Sequence, residues 1–418
     1  MLSQERNQLL TQVGPGTPMG QLLRRYWMPV AIASELTPTQ PTKRVRVLGE
    51  DLVLFRDRAG RLGLIGERCP HRGVSLEYGI PDPKGLRCPY HGWLFDRAGR
   101  CLDQPCEPPD STFKHRIRMA AYPVQELGGL IFAYLGPEPA PELPRWDLLV
   151  QQGVIRTIGW CVVPANWLQI MENSLDPIHF EWLHGRYFEW VFEQQGVRPE
   201  RWTLSKHHQK IGFDLFEYGI VKRRVLVGQT EEDDDWRIGH PVVFPNMLRV
   251  GDAALHTFQI RVPMDDTHTY HLWYSCFVPD PGVEIPPDYP IVAYENPIWE
   301  ADGKRFVVDY IDGQDMMCWV TQGPVADRTT EHLGTTDKGI ILYRQLLLQE
   351  MAKVERGEDP MCVFRTPHER IDLPQEHSRY RDGGQLSKVA RVWSTKYAPN
   401  LEEILQLVHG REDTAMLL

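Results

Sequence analysis

Between residues 69 and 93 the chain reads Cys69-Pro-His71-Arg72-Gly73 and then, after a gap, Cys88-Pro-Tyr90-His91-Gly92-Trp93. No other stretch narrows the possible structures as much. A Cys-X-His pair and a Cys-X-X-His pair, separated by sixteen residues, present two soft thiolates and two imidazoles from paired tight loops. Four such donors call for a metal centre. A structural zinc ion accepts the same atoms, but zinc knuckles favour Cys-X2-Cys and His-X3-His spacing. Here each loop supplies one Cys and one His, which suits a two-iron cluster with one iron on two cysteines and the other on two histidines.

The rest of the chain sets the frame. At 418 residues it holds two or three domain-sized units with ample core, and 42% hydrophobic against 24% charged residues marks it as globular. A net charge of -10 argues against a nucleic-acid partner, because phosphate binding needs a basic surface. Of eight cysteines, the six outside the two loops (Cys101, Cys106, Cys161, Cys276, Cys318 and Cys362) are scattered, as in a reduced compartment. The first residues lack a basic stretch followed by an apolar run. No run of roughly 18 apolar residues exists. A cytoplasmic protein with no membrane contact is the expectation.

Residues 1–42 read as a helical segment around Leu22, Leu23 and Tyr26, ended by Pro29 and packing on a later domain. From Lys43 the period changes to two, with Val45 and Val47 alternating with Arg44 and Arg46. The turn Asp57-Arg58-Ala59-Gly60 recurs as Asp96-Arg97-Ala98-Gly99, each time just after a phenylalanine region, so short strands flank both metal loops. A small all-β domain over 43–136 follows, then a proline-rich, semi-rigid linker over 137–144 and a second domain over 145–418. In the latter, strands are expected from about Trp202 to Val278. Thr336 or Asp337 caps a helix that Gly357 stops. The last sixty residues read as polar and carry no signal of their own.

A second cluster of chemistry lies at Asn173-Ser-Leu-Asp176-Pro177-Ile-His179-Phe-Glu-Trp-Leu-His184-Gly185. Asp176 suits an N-cap, Pro177 the first helical position and Gly185 the C-cap. On an ideal helix, histidines five apart point roughly 140° from one another. One metal reaches both only if the helix is distorted or ends there.

With both loops and the Asn-X2-Asp-X2-His-X4-His pattern of Asn173, Asp176, His179 and His184, the chain resembles the catalytic subunits of the Rieske non-haem iron oxygenases, in their phthalate dioxygenase-like branch. The resemblance covers nearly the whole length. It implies an α+β protein: an N-terminal all-β Rieske [2Fe-2S] domain on Cys69, His71, Cys88 and His91, followed by a helix-grip-like catalytic domain with a mixed or antiparallel sheet and helices. It implies a mononuclear Fe(II) on His179, His184 and a distant aspartate, for which Asp315 is the best match and Asp309, Asp312 and Asp327 are nearby rivals. It further implies a homotrimer, alone or stacked as a hexamer. In that assembly Asp176 would link His179 to His91 of a neighbouring subunit, as the route of electrons. Dioxygen is the co-substrate, and NAD(P)H acts only through a separate flavin and iron-sulfur reductase or a ferredoxin.

The expected function is therefore a terminal oxygenase component acting on a small aromatic substrate, an aromatic carboxylate or methoxyaromatic, by ring hydroxylation or O-demethylation. An electron carrier without oxygenase activity is the alternative, although it has no use for the second cluster of residues. In the strand-rich region His240 and Asn246 are candidates to hold a carboxylate or phenol. Lys222, Arg223 and Arg224 read equally well as a solvated strand edge.

Overall fold

In the computed structural model the described residues are 1–196, 204–251, 254–375 and 385–409. They fall into two compact units. The smaller comprises Val13–Pro144 and Val363–His368, the larger Met1–Gln12, Arg145–Cys362 and Glu369–Leu418. The border expected at residue 42 thus lies between residues 12 and 13, and the reason is a strand. Pro29 does not end a helix. The helix Pro18–Leu23 has already stopped, and Trp27–Ile32 pairs antiparallel with Leu130–Tyr134 as the edge of a three-stranded sheet. An edge strand tolerates a missing N–H donor, and the register shifts between Pro29 and Ala31.

Two four-stranded sheets make up the rest of the smaller unit. One runs in the order Thr42–Val47, Glu50–Arg56, Leu62–Gly66, Ala121–Tyr122. The other runs Ile80–Asp82, Gly85–Arg87, Leu94–Phe95, Cys101–Asp103. The repeated turn has one geometry in both places. Asp57 Oδ1 accepts from the N–H groups of Ala59 and Arg61, and Asp96 Oδ1 from those of Ala98 and Arg100. In each case the arginine four residues on returns to the same carboxylate. Gly60 and Gly99 take φ of +79° and +75° to close the turns. Between the sheets Val53, Phe55, Ile65, Leu76, Leu86 and Phe95 form a core that also contains Cys69 and Cys88.

The larger unit is built on an eight-stranded sheet in the order His208–Phe216, Gly219–Leu226, His240–Val243, Met247–Gly251, Leu255–Pro263, Thr269–Phe277, Ile155–Val163, Val292–Glu295. All neighbours are antiparallel except the last pair, which makes the sheet mixed as expected. Trp202, where strands were expected to begin, lies outside the described residues. Helices cover the sheet: Ile170, Met316 and Trp319 pack against Cys161, Val163 and Trp273. The expected helix is Lys338–Glu355, with Asp337 before it and Gly357 at φ +78° after it. Among the described residues no helix is long and apolar enough to cross a membrane.

Candidate metal centres

The two loops of the smaller unit are close copies of each other. Cys69 N–H donates to Val74 O at 2.9 Å and Gly73 N–H to Cys69 O at 2.8 Å. Cys88 N–H donates to Trp93 O at 2.8 Å and Gly92 N–H to Cys88 O at 3.0 Å. Gly73 and Gly92 turn each chain back with φ of +72° and +73°. Each loop therefore points a thiol inward and an imidazole outward. Cys69 and Cys88 are each 2% exposed, whereas His71 is exposed and His91 half-exposed. The imidazole rings lie 4.5 Å apart, with His71 stacked on Trp93 and Tyr90 against His91.

Burial, reinforced by the neighbouring Cys88 thiol, pushes Cys69 up to about 11. Partial desolvation, then the charges of His71 and Arg72, hold His91 below its ordinary value. Two buried thiols facing each other beside a pair of imidazoles 4.5 Å apart are the donor set a Rieske cluster takes. Cys101 shares the core but turns its Sγ to Asp103 O.

In the larger unit the histidine segment is not one helix ending at Gly185. Asn166 caps the helix Trp167–Asn173 through its side chain. The chain then turns at Asp176, whose Oδ1 accepts from Ile178 N–H at 2.8 Å. After the helical turn Ile178–Glu181, residues Trp182–Tyr187 form a π-helical turn that runs on into the helix Phe188–Gln194. A π turn bonds i to i+5 and so brings residues five apart one above the other. This is the distortion the spacing demanded. Gly185 serves a different purpose from capping, since a Cβ there would meet Ser205 Cα at 2.5 Å.

The helix Ile311–Thr321 delivers Asp315, whose Oδ1 lies 3.2 Å from His184 Nε2 and 3.8 Å from His179 Nε2. One donor atom from each of the three falls within 4.8 Å of the others. Burial favours neutral forms of both members of the closer pair. Their mutual contact outweighs it, raising His184 and lowering Asp315. A cation bound among the three would displace the proton that the His184–Asp315 contact favours and release it to solvent. A two-histidine, one-carboxylate face of this kind suits ferrous iron with open positions.

Neighbouring groups fix that face. Gln314 Oε1 accepts from His184 Nδ1 at 3.0 Å, leaving Nε2 for a metal, and Gln314 Nε2 is itself held by Val308 O. Asn173 Nδ2 donates to Asp315 Oδ1 at 3.2 Å. Asp176 Oδ2 stands 3.7 Å from His179 Nδ1. Burial acts to raise this carboxyl, but His179 and the Ile178 N–H outweigh it and hold it at about 2. The three rival aspartates have other duties: Asp309 pairs with Lys396, exposed Asp327 closes a turn with Thr329, and Asp312 accepts from Gln259, Trp273 and Ser394.

A cavity opens beside the triad, lined among others by Phe180, Lys222, Arg224, His240, Gln259 and Trp393. His240 is therefore at the site, and Asn246 is not among its lining residues. The Asn246 amide donates to Arg261 O at 2.7 Å and holds the backbone between two strands. Lys222 and Arg224 correct the solvated-edge reading, for both are buried in the strand Gly219–Leu226 and only Arg223 turns outward, to Asp214. Gln314 and Phe180 escaped the sequence reading, because a lone amide or phenylalanine carries no spacing signal.

The chain is similar to known proteins along most of its length. A family model described as Rieske [2Fe-2S] domain matches residues 26–123, and one described as LigXa C-terminal domain like matches residues 300–375. The 5,5'-dehydrodivanillate O-demethylase oxygenase subunit of Sphingobium sp. is 42% identical over 90% of this chain and 87% of its own length. The phthalate 4,5-dioxygenase oxygenase subunit of Pseudomonas putida is 32% identical over 86% and 88% respectively. Among solved structures, the terminal oxygenase of carbazole 1,9a-dioxygenase from Nocardioides aromaticivorans has the same fold, with a TM-score of 0.59 at 20% identity over 83% of this chain and 96% of that one.

Proposed function

The chain belongs to the Rieske non-haem iron oxygenases, as a terminal oxygenase subunit of their phthalate dioxygenase-like branch, and from that membership we propose that it oxidises an aromatic carboxylate or methoxyaromatic with O2. The observation that carries the proposal is the convergence of His179, His184 and Asp315 beside a cavity. In it, a ferrous ion held by those three residues supplies oxygen activation, and a Rieske cluster on Cys69, His71, Cys88 and His91 supplies electrons received from a separate reductase or ferredoxin.

The residues around the iron site have defined tasks in this reading. Gln314 keeps the proton of His184 on Nδ1, and Asn173 holds the Asp315 carboxylate in one rotamer. Phe180 and Trp393 give the cavity aromatic walls for a ring to lie against. Asp176, pinned by the Ile178 N–H, is assigned the bridge between His179 and His91 of a neighbouring subunit in a head-to-tail trimer. Of the two outcomes, O-demethylation is favoured, since the demethylase subunit is the more similar of the two relatives.

The test is a single turnover. Purified protein should contain about three irons and two acid-labile sulfides per chain. After reduction by dithionite, its cluster should be reoxidised by O2 only when a methoxylated or carboxylated aromatic is present, with one product formed per reoxidised cluster. Fully loaded protein that reoxidises no faster with any member of such a panel would refute the proposal. Two irons with no mononuclear signal would leave an electron carrier.

A further inference from the structure

Two cations reach the cavity from the strand Gly219–Leu226, and one of them is already engaged. Residues 222 and 224 share a face of the strand. Arg224 Nε lies 2.9 Å from Asp235 Oδ1, and the guanidinium sits 4.3 Å from the Phe180 ring. Lys222 is 8% exposed and lines the cavity with His179, His184 and Asp315. Among the described residues its ammonium has neither a hydrogen bond nor an ion pair. A buried ammonium left this way is costly and is retained only where something completes it. Burial, then the charge of Arg224, brings it down to about 8, with Asp176 and Asp315 opposing.

The surrounding charges point the same way. Asp176 and Asp315 are the carboxylates whose fields reach Lys222. Two positive charges from a ferrous ion on the triad would cancel both. Arg224 is cancelled by Asp235. Arg261 and Asp312 cancel each other through Gln259, which accepts from Arg261 Nη2 at 2.6 Å and donates to Asp312 Oδ1 at 3.1 Å. With iron bound, Lys222 is the cation left without a counter-charge among these groups, and an entering oxygen anion is what would hold its ammonium form.

We propose that Lys222 is the anion receptor of this cavity. It takes the carboxylate or phenolate oxygen of an aromatic substrate and so decides which edge of the ring faces the histidines. This rests on the reading of the cavity as the substrate site. Lysine acts as a point charge with rotatable donors, which suits either oxygen anion, whereas recognition by Arg224 is limited by its existing partners.

The test compares iron- and cluster-loaded wild type with Lys222→Met and Lys222→Arg by equilibrium dialysis. The probes are para-anisate against methyl para-anisate, and para-nitrophenolate against para-nitroanisole. Wild type should favour the anion of at least one pair by about tenfold or more. Lys222→Met should lose that preference while keeping the affinity for the neutral partner and the full iron content, and Lys222→Arg should keep it in part. Loss in the anisate pair alone or the nitrophenolate pair alone names the anion, and either supports the assignment. A wild type without preference, or a Lys222→Met protein whose preference is unchanged, overturns it. Product formation is scored separately. A Lys222-dependent preference with no product from any member of the methoxylated and carboxylated panel defeats the oxygenase reading and leaves the receptor standing; turnover with an unchanged preference does the reverse.

Discussion

His184 offers a metal its Nε2 only while Nδ1 keeps a proton, and that proton goes to Gln314 Oε1 at 3.0 Å. Replacing Gln314 by Leu removes the acceptor at similar bulk. Iron affinity should fall by about 10- to 100-fold, read by metal titration, while the visible spectrum of the cluster is unchanged. An unchanged iron affinity would show that packing alone orients the ring. At Asp176 the two roles separate with one substitution. Asparagine caps about as well as aspartate, so Asp176→Asn should keep fold, iron and a dithionite-reducible cluster. Substrate-dependent reoxidation should nevertheless slow by orders of magnitude if the carboxylate links His179 to a neighbouring His91. Reoxidation at the wild-type rate would reduce Asp176 to a cap. The Cys and His candidates stood out in the sequence because residue type and spacing coincide with a family pattern, whereas Asp315 has no spacing signal and was singled out from Asp309, Asp312 and Asp327 only through the resemblance. Gln314 and Lys222 were not legible there, since their roles depend on which side of a helix or strand is buried.

The π turn Trp182–Tyr187 places the second histidine, and its fit depends on Gly185. A Cβ there meets backbone atoms of Ser205 at 2.5 and 2.7 Å, with no flexible side chain to yield. Gly185→Ala should therefore destabilise the larger unit by about 1–3 kcal/mol and lower its iron content. Thermal unfolding and metal analysis would check both, and wild-type values would show that the 204–205 backbone can retreat. The same helical segment is tied to the sheet by Glu181, which accepts from His208 N–H at 2.9 Å. Burial, with Arg224 adding to it and Glu181 opposing, brings His208 down to about 4. Unfolded, this histidine binds a proton near its ordinary value, so its contribution is complete above about pH 6.5 and is lost as pH falls towards 4. His208→Gln should flatten stability against pH in that window, measured by urea midpoints; an equally steep curve would place the titrating group elsewhere. At this scale the sequence was read unevenly. The distortion at the histidines was demanded by their spacing, and Asp337 and Gly357 marked the long helix. Yet Leu401, Ile404, Leu405 and Val408, at helical spacing and buried against Ile155 and Phe277, lay in a tail that had seemed silent. Pro29 was read as a helix stop because its position on a sheet edge depends on Leu130–Tyr134, a hundred residues on.

The two metal sites lie in different compact units. Losing one should therefore spare the other. Cys88→Ser should abolish the visible cluster spectrum while mononuclear iron still loads, and His184→Ala should empty the iron site while the cluster remains reducible. Joint loss in either variant, measured by metal and sulfide analysis, would show that the units fold as one. The broad division was legible, because the period-two strands around the loops stop at a proline-rich stretch. Its threading was not. The smaller unit is completed by residues 363–368, where Glu142 N–H donates to Phe364 O at 2.9 Å and Arg365 Nη1 to Pro139 O at 2.7 Å, and the larger unit takes residues 1–12 from the far end. A ribosome therefore releases the cluster-bearing part without its last strand partner, and the first dozen residues must wait until the catalytic part has been made. For anyone wishing to graft one relative's electron-delivering part onto another's catalytic part, a single splice near residue 144 would leave both halves incomplete. A working chimera needs crossovers at residues 12 and 144 and a transplanted 363–368 segment.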